Sequence, residues 1–234
     1  LIDAGIDAIV FTGSVKTGEK VAIAAAKQLI PCSLELGGKD AALVLADAEI
    51  ERSALGIAQW SMFNSGQDCS SIERLYIVES IADQFLSALT KVIANLSFHG
   101  DGKLTEVDEA DVGPLQNQSQ LQLVQEHVES AVKAGAKVLC GGDVTGQGYG
   151  FKPTLLDHCN DGMTVVTDET FGPVLAVIRV SNIEEAITQI NRSQYGLNGS
   201  VWTKDIKLGE HIARRFEVGV ALVNNHSFTG SLPQ

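Results

Sequence analysis

The sequence has no long apolar run, few cysteines and histidines, and a deficit of positive charge. No stretch approaches the roughly 20 apolar residues that a membrane-spanning helix requires. The N-terminus lacks the basic start of a signal peptide, although a chain that begins at Leu1 rather than Met gives this absence little weight. Lysines and arginines number 17 against 29 aspartates and glutamates. The resulting net charge of -12 argues against nucleic acid or an anionic lipid surface as a partner.

Cysteine and histidine are too scattered to form a recognisable metal or disulfide pattern. No two of the four cysteines form a CxxC pair, and no two of the five histidines have the HxxxH spacing that places two ligands on one helix face. We therefore expect no metal site, no disulfide framework, and a reducing, cytoplasmic location. A hydrophobic fraction of 44% and a charged fraction of 20% are typical of a soluble globular protein.

Short apolar runs alternate with segments whose apolar residues recur at helical spacing. The runs predict strands at 8–11, 33–36, 41–45, 75–78, 137–139, 154–156, 174–178, 199–203 and 219–223. The helical spacing predicts helices at about 18–29, 50–63, 81–96, 118–134, 183–191 and 205–216. This alternation, without an internal repeat, predicts an α/β fold with a mostly parallel sheet flanked by helices.

The two ends of the chain and one internal segment are less regular. Residues 1–7 are typical of the last turn of a helix that ends at Gly5, and residues 227–234 are rich in turn-forming residues. Residues 99–114, which are acidic and contain glycine, predict a surface loop. We interpret the sequence as a fragment of a longer protein.

Cys69 is the candidate nucleophile. It follows Gly66, Gln67 and Asp68 after a predicted helix, where glycine lets the backbone turn and present a side chain. A thiolate is a strong nucleophile, and nearby backbone N–H groups can lower its pKa and stabilise an oxyanion. The alternative is a small buried apolar residue. We favour that alternative for the other three cysteines, Cys32, Cys140 and Cys159.

Glu35 is the candidate general base. It stands at an apolar strand end, where an unpaired carboxylate is unfavourable. Such a group either finds a partner or has its pKa raised toward neutrality, which suits a base. The alternatives are a salt bridge to Lys39 or an exposed strand edge.

Residues 11–18 place Gly13, Ser14 and Gly18 between a strand and the start of a helix. Backbone N–H groups and the helix dipole attract phosphate at such a position. The segment does not have the GxGxxG spacing, and many strand–helix turns contain glycine without binding a ligand.

Six stretches, in order, resemble the aldehyde dehydrogenase superfamily. They are FTGS at 11–14 with Gly18, LELGGK at 34–39, NSGQDC at 64–69, ETFGPV at 169–174, YGL at 195–197 with Thr203, and GV at 219–220 before Asn224. The spacing between Glu35 and Cys69 is also that of the family. Val15 departs from the threonine that is common there.

The resemblance implies NAD(P)-dependent oxidation of an aldehyde to a carboxylic acid. Cys69 would form a thiohemiacetal and then a thioester, and Glu35 would activate the water that hydrolyses it. The Cys69 backbone N–H would supply half of an oxyanion hole. The implied cofactor-binding residues are Gly13, Ser14, Gly18, Leu36, Glu169 and Phe171. The resemblance does not distinguish NAD from NADP, and it implies a homodimeric or homotetrameric parent protein.

The resemblance also implies a division of the chain. Residues 1–36 would be the end of the NAD(P)-binding domain, and residues 37–234 the catalytic domain. The family's oxyanion asparagine and adenosine-binding lysine segment would precede Leu1, so we expect the isolated fragment to fold but not to turn over.

Three other functions remain possible from the sequence. A CoA-acylating relative generally lacks the water-activating glutamate, so Glu35 argues against it. A non-catalytic binding or structural member of the family is a second alternative. A cysteine hydrolase is the third, and it would need a histidine to activate the thiol.

Overall fold

The computed structural model describes residues 2–98, 111–146 and 148–226. The chain divides into two compact units, Leu1–Gly38 and Lys39–Gln234. Most of the predicted loop at 99–114 lies outside the described residues, as does the turn-rich segment 227–234. Among the described residues, no helix combines the length and apolar character needed to cross a bilayer.

The first unit is a strand–helix–strand unit, as its alternating pattern predicts. A short 3₁₀ turn, Ile2–Ala4, ends at Gly5, which has a φ of 83°. Strands β1 (Ile9–Thr12) and β2 (Cys32–Glu35) pair in parallel, with helix α1 (Val15–Gln28) between them. The helix begins earlier than predicted because the Ser14 side chain caps its first turn.

The second unit contains seven strands and six helices within its described residues. The strands are β3 (Asp40–Val44), β4 (Ile72–Val78), β5 (Lys137–Cys140), β6 (Thr154–Asp157), β7 (Val174–Val180), β8 (Asn198–Trp202) and β9 (Val220–Val223). The helices are α2 (Ile50–Met62), α3 (Glu79–Ala94), α4 (Gln118–Lys133), α5 (Thr164–Thr167), α6 (Ile183–Ile190) and α7 (Ile206–Ala213).

These strands form one sheet in the order β5-β6-β7-β4-β3-β8-β9. All neighbours are parallel except β5 and β6, so the predicted mostly parallel α/β fold is confirmed. Alternate residues of the central strands face opposite sides. Leu43 and Tyr76 join one hydrophobic cluster, whereas Val44 and Leu75 join the other.

Two further elements differ from the sequence prediction. Strand β4 begins at Ile72 rather than Leu75, because Glu73 and Arg74 are buried in the sheet with hydrogen-bond partners. Helix α5 was not predicted, since a single turn has no helical periodicity to detect.

Candidate active site

The segment before Cys69 is a tight left-handed turn. Asn64, Ser65 and Gly66 have φ values of 50°, 61° and 67°. A Cβ on Gly66 would lie 2.1 Å from the carbonyl oxygen of Gly172, so this position requires glycine for its conformation and for its space. The turn therefore lies directly against the segment 169–173.

Hydrogen bonds hold this turn to residues 113–116. The Ser65 Oγ donates to the carbonyl oxygen of Gly113 at 3.0 Å. The Gln67 side chain accepts the backbone N–H of Gln116 at 2.8 Å and donates to the Pro114 carbonyl at 3.3 Å. Side chains of the turn thus anchor it at two points.

Cys69 is half-buried at the end of this turn. Asp68 shapes the backbone after it, because its Oδ1 accepts the N–H of Ser70 at 2.8 Å. Burial raises the pKa of the Cys69 thiol, and the carboxylates of Asp68 and Asp40 raise it further. The Ser70 hydroxyl, 3.9 Å from Sγ, and the backbone N–H of Cys69 lower this pKa without reversing the shift. The expected lowering by backbone N–H groups is thus outweighed by desolvation.

A fully buried histidine contacts the backbone next to Cys69. The His226 Nε2 lies 3.1 Å from the carbonyl oxygen of Ser70 and 3.4 Å from Asp40 Oδ2. Both neighbours are acceptors when Asp40 is ionised, so Nε2 carries a hydrogen. The Ser200 Oγ accepts from Trp202 Nε1 at 3.1 Å and can donate its own hydrogen to His226 Nδ1 at 2.9 Å. Burial raises the pKa of Asp40, while its contact with His226 lowers it.

Three of the described histidines make ring contacts away from the thiol. The His226 ring contacts Ser200, Ser70 and Asp40, that of His127 contacts Thr170, and that of His158 lies 3.5 Å from Asp157. Among the described residues, no hydrogen bond joins a histidine to Cys69 Sγ. This part of the chain thus gives no support to a cysteine hydrolase with a thiol–imidazole pair.

The segment 169–173, which carries Glu169 and Phe171, is fixed by a buried carboxylate. Glu73 accepts the backbone N–H of Thr170 at 2.8 Å and that of Phe171 at 2.9 Å. It also forms a buried ion pair with Lys39, whose Nζ donates to Thr170 Oγ1 at 3.0 Å. Glu169 and Phe171 are half-buried.

Burial and neighbouring charges shift the pKa values of Lys39 and of the nearby His127. Complete burial lowers the pKa of Lys39, although Glu73 raises it. His127, hydrogen-bonded to Thr170 Oγ1 at 3.1 Å, has its pKa lowered by burial and by Lys39. Neutral His127 therefore stands beside the ion pair at ordinary pH.

In the first unit, the structure brings Gly13, Ser14 and Glu35 to the carboxyl ends of two neighbouring strands. The Gly13 N–H donates to the carbonyl oxygen of Glu35 at 3.1 Å. Ser14 is exposed, and its Oγ accepts the N–H of Thr17 at 3.3 Å as the cap of α1. Backbone donors and a hydroxyl at a helix start suit a phosphate group.

Gly18 and Leu36 have a packing role in the same unit. Gly18 is buried, and a Cβ there would lie 2.5 Å from Leu36 Cδ2. The glycine thus lets α1 approach the end of β2 closely, which gives Gly18 a structural reason to be present.

The expected apolar setting of Glu35 is wrong, and the structure agrees with the alternative of an exposed strand edge. Its side chain is exposed rather than placed in apolar surroundings, because it points away from the packed side of a four-residue strand. The other alternative was a salt bridge to Lys39, but Lys39 pairs with Glu73. Glu35 and Cys69 belong to different compact units.

The remaining cysteines are only partly core residues. All four cysteines are free thiols. Cys159 is buried, and burial raises its pKa to about 12. Cys32 and Cys140 are half-buried, so the expectation of a core position is confirmed only for Cys159.

The sequence did not point to Lys39, Asp40, Glu73, Gln120 or His226 as parts of the site. Charged residues next to an apolar strand, as in Glu73-Arg74, were the one available signal for Glu73. Their partners come from other elements far along the chain, which spacing alone does not reveal. Within the described ranges, no three His, Cys, Asp or Glu side chains group closely enough to hold a metal ion.

The chain is similar to known proteins over nearly its whole length. A curated relative, 4,4'-diapolycopene aldehyde oxidase of Methylomonas, is 40% identical over 225 residues, which cover 96% of this chain and 41% of the relative. The solved structure of Mycobacterium tuberculosis aldehyde dehydrogenase with NAD+ has a TM-score of 0.90 and 34% identity. The match covers 95% of this chain and 46% of the chain in that structure. The NADP complex of NADP-dependent glyceraldehyde-3-phosphate dehydrogenase from Bacillus halodurans has a TM-score of 0.88 and 37% identity, over 95% of this chain and 45% of its own.

The chain spans less than half of the length of these relatives. The model of the aldehyde dehydrogenase family matches residues 1–233, nearly the whole chain. The match includes the turn that carries Cys69 and the segment 169–173 against which that turn packs. The chain belongs to the aldehyde dehydrogenase family.

Proposed function

We propose that the protein carrying this chain oxidises an aldehyde to a carboxylic acid with NAD or NADP, and that Cys69 is its nucleophile. The observation that carries this proposal is the turn at 64–69, which presents a half-buried thiol beside the segment of Glu169 and Phe171. The two structural relatives hold NAD+ and NADP, respectively.

The reaction begins when the Cys69 thiolate attacks the aldehyde carbon and forms a thiohemiacetal. The Cys69 backbone N–H supplies one donor to the developing oxyanion. A bound nicotinamide cofactor would supply the oxidising power as the acceptor of the hydride from the aldehyde carbon. The thioester that remains on Cys69 is then hydrolysed, which releases the acid and the thiol.

The residues of the first unit fit the phosphate part of such a cofactor. The capped start of α1 offers backbone donors, Ser14 offers an exposed hydroxyl, and Gly13 adds no side chain to this turn. In this proposal, residues 1–36 are the end of the cofactor-binding domain, and residues 37–234 are the catalytic domain. Gly18 and Leu36 shape the first part, and in the second part Glu169 and Phe171 are the residues that would hold the nicotinamide riboside.

Glu35 is the proposed base that deprotonates the hydrolytic water. Its carboxylate is exposed at the end of β2, beside Gly13, so it is accessible to water. An acyl transfer to coenzyme A is the alternative fate of the thioester. The two outcomes differ in product, which is a free acid in one case and an acyl-CoA in the other.

The test is replacement of single cysteines in the full-length protein. Cys69→Ala is expected to abolish NAD(P)-dependent aldehyde oxidation and ester hydrolysis, because both need the same nucleophile. Cys32→Ala, Cys140→Ala and Cys159→Ala are the matched controls and should keep most activity. Reduced cofactor is followed by absorbance, and the acid product by chromatography. Activity retained in Cys69→Ala, with the protein folded, would overturn the proposal.

The proposal includes a homodimeric or homotetrameric assembly and a cytoplasmic location. Four free thiols are compatible with a reducing compartment. Light scattering of the full-length protein tests the assembly, and a monomer at micromolar concentration would contradict it.

A further inference from the structure

The peptide group between Thr170 and Phe171 is held from both sides. Its carbonyl oxygen accepts Gln120 Nε2 at 2.8 Å, and its N–H donates to Glu73 Oε1 at 2.9 Å. Gln120 Nε2 also donates to the carbonyl of Phe171 at 3.0 Å, and Glu73 Oε2 accepts the N–H of Thr170 at 2.8 Å. Two side chains therefore satisfy four consecutive backbone groups.

This clamp maintains an unfavourable backbone conformation. Phe171 has a φ of 49°, in the left-handed region that a bulky residue without special surroundings avoids. Such a conformation persists only where the surroundings over-determine it, and it often occurs where a ligand is held. Glu73 and Gln120 supply those surroundings from β4 and from the first turn of α4.

The buried charge of Glu73 also constrains the orientation of the segment 169–171. Glu73 is 3% exposed and forms an ion pair with the fully buried Lys39. Because a buried ion pair contributes little net stability, stability alone does not account for this arrangement. Charge-assisted hydrogen bonds to two consecutive N–H groups instead fix the orientation of the segment.

We propose that Glu73 and Gln120 are positioning residues that hold the segment 169–171 in the shape that binds the nicotinamide riboside of the cofactor. This inference rests on the proposed function, which assigns Glu169 and Phe171 to cofactor contact. Neither positioning residue touches the reacting atoms in this scheme. Both act through the backbone of the segment.

Gln120→Glu separates positioning from folding. The variant replaces two donors with a carboxylate that faces two carbonyl oxygens, so the clamp is lost. An acidic residue in the first turn of α4 interacts favourably with the helix dipole, so the melting temperature should stay within about 2 °C of the wild type. Gln118→Glu is the matched control, because it adds the same charge to the same turn at an exposed position.

The measurement is isothermal titration of the full-length protein with NAD and, separately, with NADP. We expect Gln120→Glu to weaken binding of the preferred cofactor by about tenfold or more, because small misplacements of a positioning element carry large penalties. Gln118→Glu should bind like the wild type. Equal affinity in both variants would overturn the inference while leaving the proposed function intact. A wild-type protein that binds neither cofactor would overturn both.

Glu73→Gln is a second variant that tests the same inference. It leaves Lys39 without its counter-charge, so both melting temperature and cofactor affinity should fall. Asp157→Asn is the control, because Asp157 is also 3% exposed and pairs with Arg179 at 2.9 Å on another part of the sheet. It should lower the melting temperature with unchanged affinity. Loss of affinity in Asp157→Asn equal to that in Glu73→Gln would assign the effect to general destabilisation and overturn the inference.

Discussion

Gly66 lies so close to Gly172 that a Cβ at position 66 would stand 2.1 Å from the Gly172 carbonyl oxygen and 2.5 Å from its carbon. The contact joins the turn that carries the candidate nucleophile to the segment that carries Glu169 and Phe171. Both sides of the contact are backbone, so neither can move aside as a flexible side chain would. Any displacement of one segment is transmitted to the other.

Gly66→Ala is therefore expected to reduce the free energy of unfolding by about 3 kcal/mol or more, from the combined effects of conformation and overlap. Gly135→Ala is the control, because Gly135 also has a positive φ, 107°, but nothing lies within 4 Å of its added Cβ. That variant should lose only about 1 kcal/mol. Urea denaturation of the two variants measures the difference, and equal losses would contradict the importance of the contact.

The reactivity of Cys69 should have an alkaline pH profile. Desolvation raises the thiol pKa, so the thiolate forms only as pH rises above the ordinary cysteine value of about 8.5. Alkylation by iodoacetamide, followed by mass spectrometry at Cys69, should increase through that range. A midpoint well below the ordinary value would show that the site activates the thiol more strongly than its surroundings suggest.

Two neighbours of Cys69 should shift this profile in opposite directions. Asp68→Asn removes a charge that raises the thiol pKa, so its midpoint should fall. Ser70→Ala removes a hydroxyl that lowers the thiol pKa, so its midpoint should rise. Asn at position 68 can still accept the Ser70 N–H, which preserves the turn.

His226→Ala is expected to destabilise the protein by about 2–4 kcal/mol. The imidazole is fully buried and hydrogen-bonds to Ser200 and to the Ser70 carbonyl, so its removal leaves polar groups unsatisfied around a cavity. His211→Ala, at an exposed position on α7, should change stability by no more than about 0.5 kcal/mol. Chemical denaturation distinguishes them, and a neutral His226→Ala would show that water or repacking replaces the ring.

Glu35→Gln in the full-length protein should separate the two halves of the proposed reaction. Thioester formation should continue, giving a burst of about one equivalent of reduced cofactor per site, whereas the steady-state rate should fall by about 10²-fold. Stopped-flow absorbance measures both phases. Glu19→Gln, an exposed carboxylate on α1, should leave the kinetics unchanged. If Glu35→Gln shows no burst, Glu35 acts before hydride transfer.

The apolar runs were sufficient to predict the main architecture. The run at 41–45 became β3, buried on both faces, and Gly135 ends α4 as the pattern of glycine after a helix predicts. The start of β4 was missed, because the two charged residues at its beginning are favourable in a sheet only when partners from other elements are present. The antiparallel direction of β5 was likewise not encoded in its own short segment.

For the candidate site, composition around Cys69 predicted a glycine turn but not its full extent. Gly66 was expected to turn the backbone, and Asn64 is also a residue that tolerates left-handed conformations. Ser65 is not, and its conformation follows from the hydrogen bonds that tie it to Gly113. The exposure of Glu35 shows that an apolar neighbourhood in sequence does not ensure burial in a four-residue strand.

In the large sheet, different groups of residues lie at the amino ends and at the carboxyl ends of the parallel strands. Lys39, Cys69 and the segment 169–173 all precede strands β3, β4 and β7, so they gather at the amino ends. At the carboxyl ends, Asp47 accepts a hydrogen bond from Thr203, and Arg179 forms ion pairs with its carboxylate partners. A strand of five residues separates its amino end from its carboxyl end by roughly 16 Å. A fluorophore or affinity handle attached beyond the carboxyl ends, for instance at Lys204, therefore lies at the opposite end of the strands from Cys69.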